Sequence, residues 1–208
     1  MNAHVPYRWI LALAVAGLMA VSAGCGTTAP NIESQEELAE AMSEEGGVVV
    51  FGRVRWIKNG EELEIGGGIL GNLVELHVYP AGSDDQIIAS VGAGGQFSWV
   101  LQPGVYRIPM ISFIHRMNSY LGVSFIRFTV PAEGQASYAG TLTIETSYET
   151  GWLGAKMSID RFSVAEECEA DCGAMLAQLG LPDDAAEVGL MEFDPEMLER
   201  WRKATEKD

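Results

Sequence analysis

Gly95-Gln96-Phe97-Ser98-Trp99-Val100-Leu101-Gln102-Pro103-Gly104-Val105-Tyr106-Arg107-Ile108 is the stretch whose reading decides the fold class. Phe97, Trp99 and Leu101 alternate with Gln96 and Ser98, the period of a strand with one buried face. Pro103 presets a turn and Gly104 supplies a positive φ within it. The chain therefore reverses, and Tyr106 is expected to return beside Phe97 on the next strand. Working outward, the period of two persists. In Ala139–Ile144, Leu142 and Ile144 alternate with Thr141 and Thr143, and Val48–Trp56, Leu73–Tyr79, Gln86–Val91, Val105–Met110, Val123–Val130 and Ala155–Phe162 read as further strands. Asn59-Gly60, Ser83-Asp84-Asp85 and Gly92–Gly95 punctuate them. Short strands with turns every 8–12 residues or so predict a mainly β sandwich or barrel over residues 48–162.

The quoted stretch, with Gly52-Arg53-Val54 and Val74-Glu75-Leu76, resembles the carboxypeptidase regulatory-like domain over about residues 48–112. The hallmark of that domain is G-x-F followed by L-x-P-G-x-Y-x-I. The resemblance implies a transthyretin-like Greek-key β-sandwich. Transthyretin-like enzymes related to it use a histidine–arginine cluster and a C-terminal tetrapeptide that this chain lacks, so the resemblance implies no catalytic residue here.

The segments flanking the strands change both period and charge. Residues 34–45 open on Ser34-Gln35-Glu36-Glu37, a capping box with Ser34 at N-cap and Glu37 at N3, and end at Gly46-Gly47. They predict a short helix within residues 25–47. After Phe162, Ser163 and Glu166 predict a second capping box, and Val164, Cys168, Cys172, Met175, Leu176 and Leu179 form an apolar stripe closed by Gly180 and Pro182. Asp194-Pro195 starts a last helix carrying Leu198 and Trp201, with the N-cap and N1 residues in their preferred order. Both helices of residues 163–208 are expected to pack on the sandwich. The net charge of −16 sits mostly in these flanks: Gly26–Gly47 carries six acidic and no basic residues, and Ser163–Asp208 carries thirteen acidic and four basic. Nucleic acid and anionic head groups are held by Lys and Arg, so a nucleic-acid partner is not expected.

Residues 1–24 bear on where the chain resides. Arg8 leads into thirteen apolar residues, Trp9 to Val21, that close on Ser22-Ala23-Gly24-Cys25. A membrane-spanning helix needs about 20 apolar residues, whereas the core of a secretory signal needs roughly 7–15. The segment reads as an export signal, and its end resembles the lipobox of bacterial lipoproteins. That resemblance implies cleavage before Cys25 and acylation of Cys25, so that the membrane is reached through an N-terminal lipid. Gly26 in place of aspartate implies sorting to the outer membrane, on its periplasmic face or at the cell surface. Cys168 and Cys172 then remain in an oxidising compartment. Their i, i+4 spacing separates Cβ atoms by about 5–6 Å on a helix face, beyond the roughly 3.8 Å that a disulfide prefers. They form either a disulfide across a distorted turn or two buried thiols.

Candidate chemistry is sparse. His77 shares a strand face with Glu75 and Tyr79, which reads as a solvated histidine and not a metal ligand. Metal sites need three or four converging ligands, and the sequence holds no HxH, HExxH, CxxC or GxSxG. Gly66-Gly67-Gly68-Ile69-Leu70-Gly71 matches G-x-G-x-x-G but precedes a strand, whereas a pyrophosphate site needs a helix N-terminus. No metal or cofactor is expected. Met110–Tyr120 is apolar without clean alternation and reads as a long loop. Phe113, His115, Arg116, Met117 and Tyr120 are its candidates for binding a protein or glycan. The sequence thus points to a lipid-anchored, non-enzymatic structural or binding module of the cell envelope. The alternatives are a carbohydrate-binding accessory or hydrolase-like protein, and a subunit of an envelope assembly docked through its acidic helices.

Overall fold

The computed structural model describes residues 27–44, 46–66, 71–115, 118–151 and 154–206. The export signal, Cys25, Arg116 and Met117 lie outside the described residues.

Val48–Lys58 (β2) organises the first sheet. Its opening Val48-Val49-Val50-Phe51 is a continuous apolar run, as expected of a strand covered on both faces. Ala136–Gly151 (β9) runs parallel to it on one side. On the other side Gln96–Leu101 (β6) pairs antiparallel with its first half and Glu61–Leu63 (β3) with its second. Gly154–Ala165 (β10) and Ala186–Val188 (β11) complete the far edge of β9. The second sheet runs in the order Thr27–Ala29 (β1), Ile87–Ser90 (β5), Leu73–Pro80 (β4), Gly104–His115 (β7), Asn118–Val130 (β8) and Glu192–Phe193 (β12). Among the described residues the protein is mainly β, with two mixed sheets and three helices.

The Pro103-Gly104 turn carries the chain from one sheet to the other, and Gly104 has φ 155°. Between the sheets lie Trp56, Trp99, Phe97, Leu76, Ile108, Phe113, Ile126, Phe128 and Leu142, each 2% exposed or less. Phe97 stacks on Trp99 at 4.1 Å. Both buried indoles find acceptors, Trp56 on Thr146 Oγ1 and Trp99 on the Ser90 carbonyl, each at 2.8 Å. Tyr106 enters this core, but its ring partner is Phe128 at 5.4 Å and not the expected Phe97. Its hydroxyl donates to the Gln102 carbonyl at 2.8 Å, which ties the inter-sheet turn to the strand that follows.

A second apolar layer covers the outer face of the first sheet. Helix α1 (Gln35–Glu44) and helix α2 (Cys168–Gln178) bury Leu38, Cys172, Met175, Leu176 and Leu179 against Val49, Phe51, Val100, Ala136 and Tyr138. One arm of the capping box of α1 forms as read, the Glu37 N–H donating to Ser34 Oγ at 3.2 Å, while the Glu37 carboxylate accepts at 2.7 Å the N–H of Glu33, one residue before the cap, in place of that of Ser34. The second expected box does not form. Ser163 and Val164 belong to β10, where they pair with Thr143 and Leu142, and Val164 packs on the main core. Ladder pairing plus burial outweighs a local cap, and α2 starts five residues after Ser163.

Helix α3 (Pro195–Thr205) begins as read, with the Asp194 carboxylate accepting the Glu196 and Met197 N–H groups at 3.0 Å. Burial pushes the Asp194 carboxyl up. The Met197 and Glu196 N–H groups and Arg107, whose Nε lies 3.0 Å away, outweigh that and hold it below the usual carboxylate range. Of the two C-terminal helices, α2 buries apolar residues against the sandwich, whereas α3 touches it at the rim. No residue of α3 is buried, and its Trp201 ring leans on Phe125 at 5.8 Å at the sheet rim.

Candidate functional site

Met110–Tyr120 is not a loop: Met110–His115 ends β7 and Asn118–Tyr120 begins β8. Within it β7 alternates, with Ile111 and Phe113 buried and Met110, Ser112 and Ile114 turned outward, but apolar Met110 and Ile114 on the outer face hide the period; the bulge between Ile108 and Met110 lies before it and lets Ile108 and Ile111 both point inward. Phe113 is fully buried, its ring 4.9 Å from Trp56. His115 Nδ1 lies 2.6 Å from Asn72 Oδ1 and its ring meets the Trp56 edge at 6.1 Å. Tyr120 joins the neighbouring hairpin, its hydroxyl donating to that of Tyr148 at 3.3 Å. Lys58 Nζ stands 4.3 Å over the Tyr148 ring. Phe113 is thus a core residue, while His115 and Tyr120 bind the two long hairpins to each other and to Asn72.

Cys168 and Cys172 are bonded, with Sγ–Sγ 2.01 Å and Cα–Cα 4.8 Å. Cys168 is the first residue of α2, and the Glu167 that precedes it makes no side-chain cap; its N–H donates to the Tyr138 hydroxyl at 3.2 Å. The irregular first turn is what brings together two cysteines that a regular helix face would hold apart.

The polar cluster on the outer face of the second sheet had one legible member. His77 faces outward as its strand parity predicts, but its partners come from elsewhere in the chain. His77 Nε2 lies 2.6 Å from Ser112 Oγ, and Nδ1 faces the Gln86 amide nitrogen. Ser112 is 35 residues away and is delivered only by the β4–β7 register, which sets Glu75 opposite Ser112 and His77 opposite Met110. A serine against a histidine is the first contact of a nucleophile–base pair. Here the second contact of the ring is the Gln86 amide, in the place where a nucleophile–base pair carries a carboxylate. A neutral amide cannot stabilise an imidazolium as a carboxylate does.

Burial lowers the His77 pKa, and the nearby Glu75 carboxylate raises it by less. Because the folded value lies below the ordinary one near 6.5, the unfolded chain takes up the proton first as pH falls. Stability is therefore expected to decline as pH falls through about 6.5 towards the lower folded value. His77→Gln should flatten that decline in chemical-denaturation curves; an unaltered pH profile would show that His77 stays as accessible to protons as in the unfolded chain.

Two clefts flank the N-terminal arm that links the sheets. One, of about 150 Å³, is lined by Asn31, Gln96, Ser98, Gln178 and Leu179, and the other, of about 280 Å³, by Pro30, Ile32, Glu37, Glu40, Ala41 and Val100. In the first of them Asn31 Oδ1 accepts the Ser98 N–H at 2.8 Å, and Gln178 Nε2 donates to the Glu33 carbonyl at 2.8 Å. Among the described residues no group of three or more His, Cys, Asp and Glu is placed to hold a metal ion, and no helix is long and apolar enough to cross a membrane. No family model, curated protein or solved structure matches the chain.

Proposed function

We propose that the protein is an exported, lipid-anchored, non-catalytic structural or binding module of the bacterial cell envelope, tethered through Cys25 and sorted to the outer membrane by Gly26. The observation that carries this reading is the run Trp9 to Val21 behind Arg8, too short to span a bilayer, closing on Ser22-Ala23-Gly24-Cys25. The Cys168–Cys172 bond supports it, since disulfides persist in oxidising compartments outside the cytosol. We read the β-rich domain as a transthyretin-like Greek-key sandwich of the carboxypeptidase regulatory-like kind. In support, the G-x-F and L-x-P-G-x-Y-x-I residues lie on adjoining strands that change sheet at Pro103-Gly104, with Tyr106 bonded back to Gln102.

Cys25→Ser tests the anchor. The expected product is an unlipidated precursor that retains residues 1–24. Intact-mass detection of the full acyl mass on that variant would refute the assignment.

A further inference from the structure

We propose that the chain associates with its own copies head to tail, one face of α3 docking in the cleft beside α1 of the next copy. The contact gives the module proposed above a partner and does not depend on the Cys25 anchor.

The cleft is an apolar trough with an acidic rim. Pro30, Ile32, Ala41 and Val100 form its floor, its volume is about 280 Å³, and Glu37, Glu40 and Glu44 stand along one side. Glu37, Glu40, Ala41 and Glu44 follow the spacing i, i+3, i+4, i+7, which brings them to one face of the helix. No basic residue of α1 answers them, and Glu40 and Glu44 make no ion pair among the described residues. A groove of this kind takes an amphipathic helix anchored by residues at i, i+3, i+4 and i+7. Carboxylates on its rim select a helix that brings positive charge.

Helix α3 meets that description. None of its residues is buried, and Leu198, Trp201, Arg202 and Thr205 repeat the same spacing on one face. Trp201 stays 45% exposed although its ring leans on Phe125, and tryptophan and arginine are the side chains that most often anchor interfaces. Arg200 and Lys203 are held within the helix by Glu196 at 3.6 Å and Glu199 at 3.4 Å. Arg202 is then the one cation of α3 without an acidic partner among the described residues. With the indole on the apolar floor and Arg202 against Glu40 and Glu44, both faces find their complement.

The topology keeps the two surfaces apart within one chain. The cleft adjoins β1 at one edge of the six-stranded second sheet, and α3 follows β12 at the other edge. Five inter-strand spacings of about 4.8 Å place them roughly 24 Å apart. A knob at one edge and its socket at the other make a heterologous contact, which repeats from copy to copy as an open row or closes as a ring.

The test uses full chains in mild detergent, one batch carrying Thr205→Cys and the other Glu44→Cys, mixed in equal amounts and treated with a short bis-maleimide. The expected product is a covalent dimer joined through positions 205 and 44, several-fold more abundant than in either batch alone or in the unsubstituted chain. Arg202→Glu added to the first batch, or Glu40→Lys added to the second, is expected to lower the yield several-fold. Mixing the two altered batches is expected to restore it, which also shows that both variants fold. No dimer above the unsubstituted chain, a yield that neither charge change moves, or a loss that the altered pair does not restore overturns the proposal. Dimers formed as readily by the Thr205→Cys batch alone assign α3 to a symmetric contact and overturn it too. Acylation of Cys25 is read separately by intact mass, so failure of the anchor and failure of the contact are told apart.

Discussion

A chain ending at Ala165 is expected to aggregate and to bind a hydrophobic dye. Helix α2 buries Met175, Leu176 and Leu179, each 5% exposed or less, over Val49, Phe51, Val100 and Tyr138. Burying a large apolar side chain contributes roughly 1.5–3 kcal/mol, so these three alone supply about 5–9 kcal/mol. Ordinary domains are stable by about 5–15 kcal/mol in total. The truncation also removes Met191, a member of the main core, and Asp194, the buried carboxylate that holds Arg107. The outer face of the first sheet would stand open to water. Should the truncated domain instead remain soluble, monomeric and equally stable, the C-terminal segment contributes nothing to the core, and a role as partner-seeking arms in an envelope assembly becomes the better reading. Cutting after Phe162 would be a poorer test, because residues 163–165 belong to β10.

Gly52→Val is expected to destabilise by about 3 kcal/mol or more, since overpacking a filled interior costs about 1–3 kcal/mol even where neighbours can yield. At Gly52 they cannot. A Cβ there would lie 2.5 Å from the Gly140 carbonyl oxygen and 2.8 Å from Phe97 Cζ. The register explains the crowding: the β2–β9 pairing passes from Phe51 opposite Tyr138 to Arg53 opposite Thr141, so Ala139 and Gly140 together face Gly52 across a bulge. A side chain must either part the two central strands or push Phe97 off Trp99. The melting temperature should fall by roughly 6–12 °C for a chain of this size. Gly60→Ala is the control, because Gly60 has φ 85° in an open turn with nothing near its Cβ position, and it should cost only about 1 kcal/mol. Equal effects of the two substitutions would show that backbone conformation, and not the close approach at the bulge, governs glycine in this fold.

Local signals were legible in proportion to their length and regularity. The period-two runs at Gln96–Leu101 and Leu73–Tyr79, the Ser34 cap of α1, and the Asp194-Pro195 helix start all appear where the residues place them. Each depends on neighbours a few positions away. The pairs β1, β11 and β12, of three residues or fewer, carry no periodic signal and exist because an open sheet edge accepts them. The bulges at Ile108/Met110 and Phe51/Arg53 slip the phase of two central strands, and Met110–Tyr120 reads as a loop in sequence because the outward positions Met110 and Ile114 are as apolar as the inward Ile111 and Phe113.

By itself, then, the sequence determined the mainly β class, the position of the inter-sheet turn and the amphipathic stripe of α2, because periodicity and turn chemistry are written within a dozen residues. Tertiary structure alone decided that Ser163 extends a strand instead of capping a helix, that Cys168 and Cys172 are bonded, that Ser112 meets His77, and that the outer face of the first sheet is covered by two helices. Apart from the disulfide, those outcomes depend on register and on which edge each segment finds, and pairings of residues 20 or more apart leave no trace in local sequence.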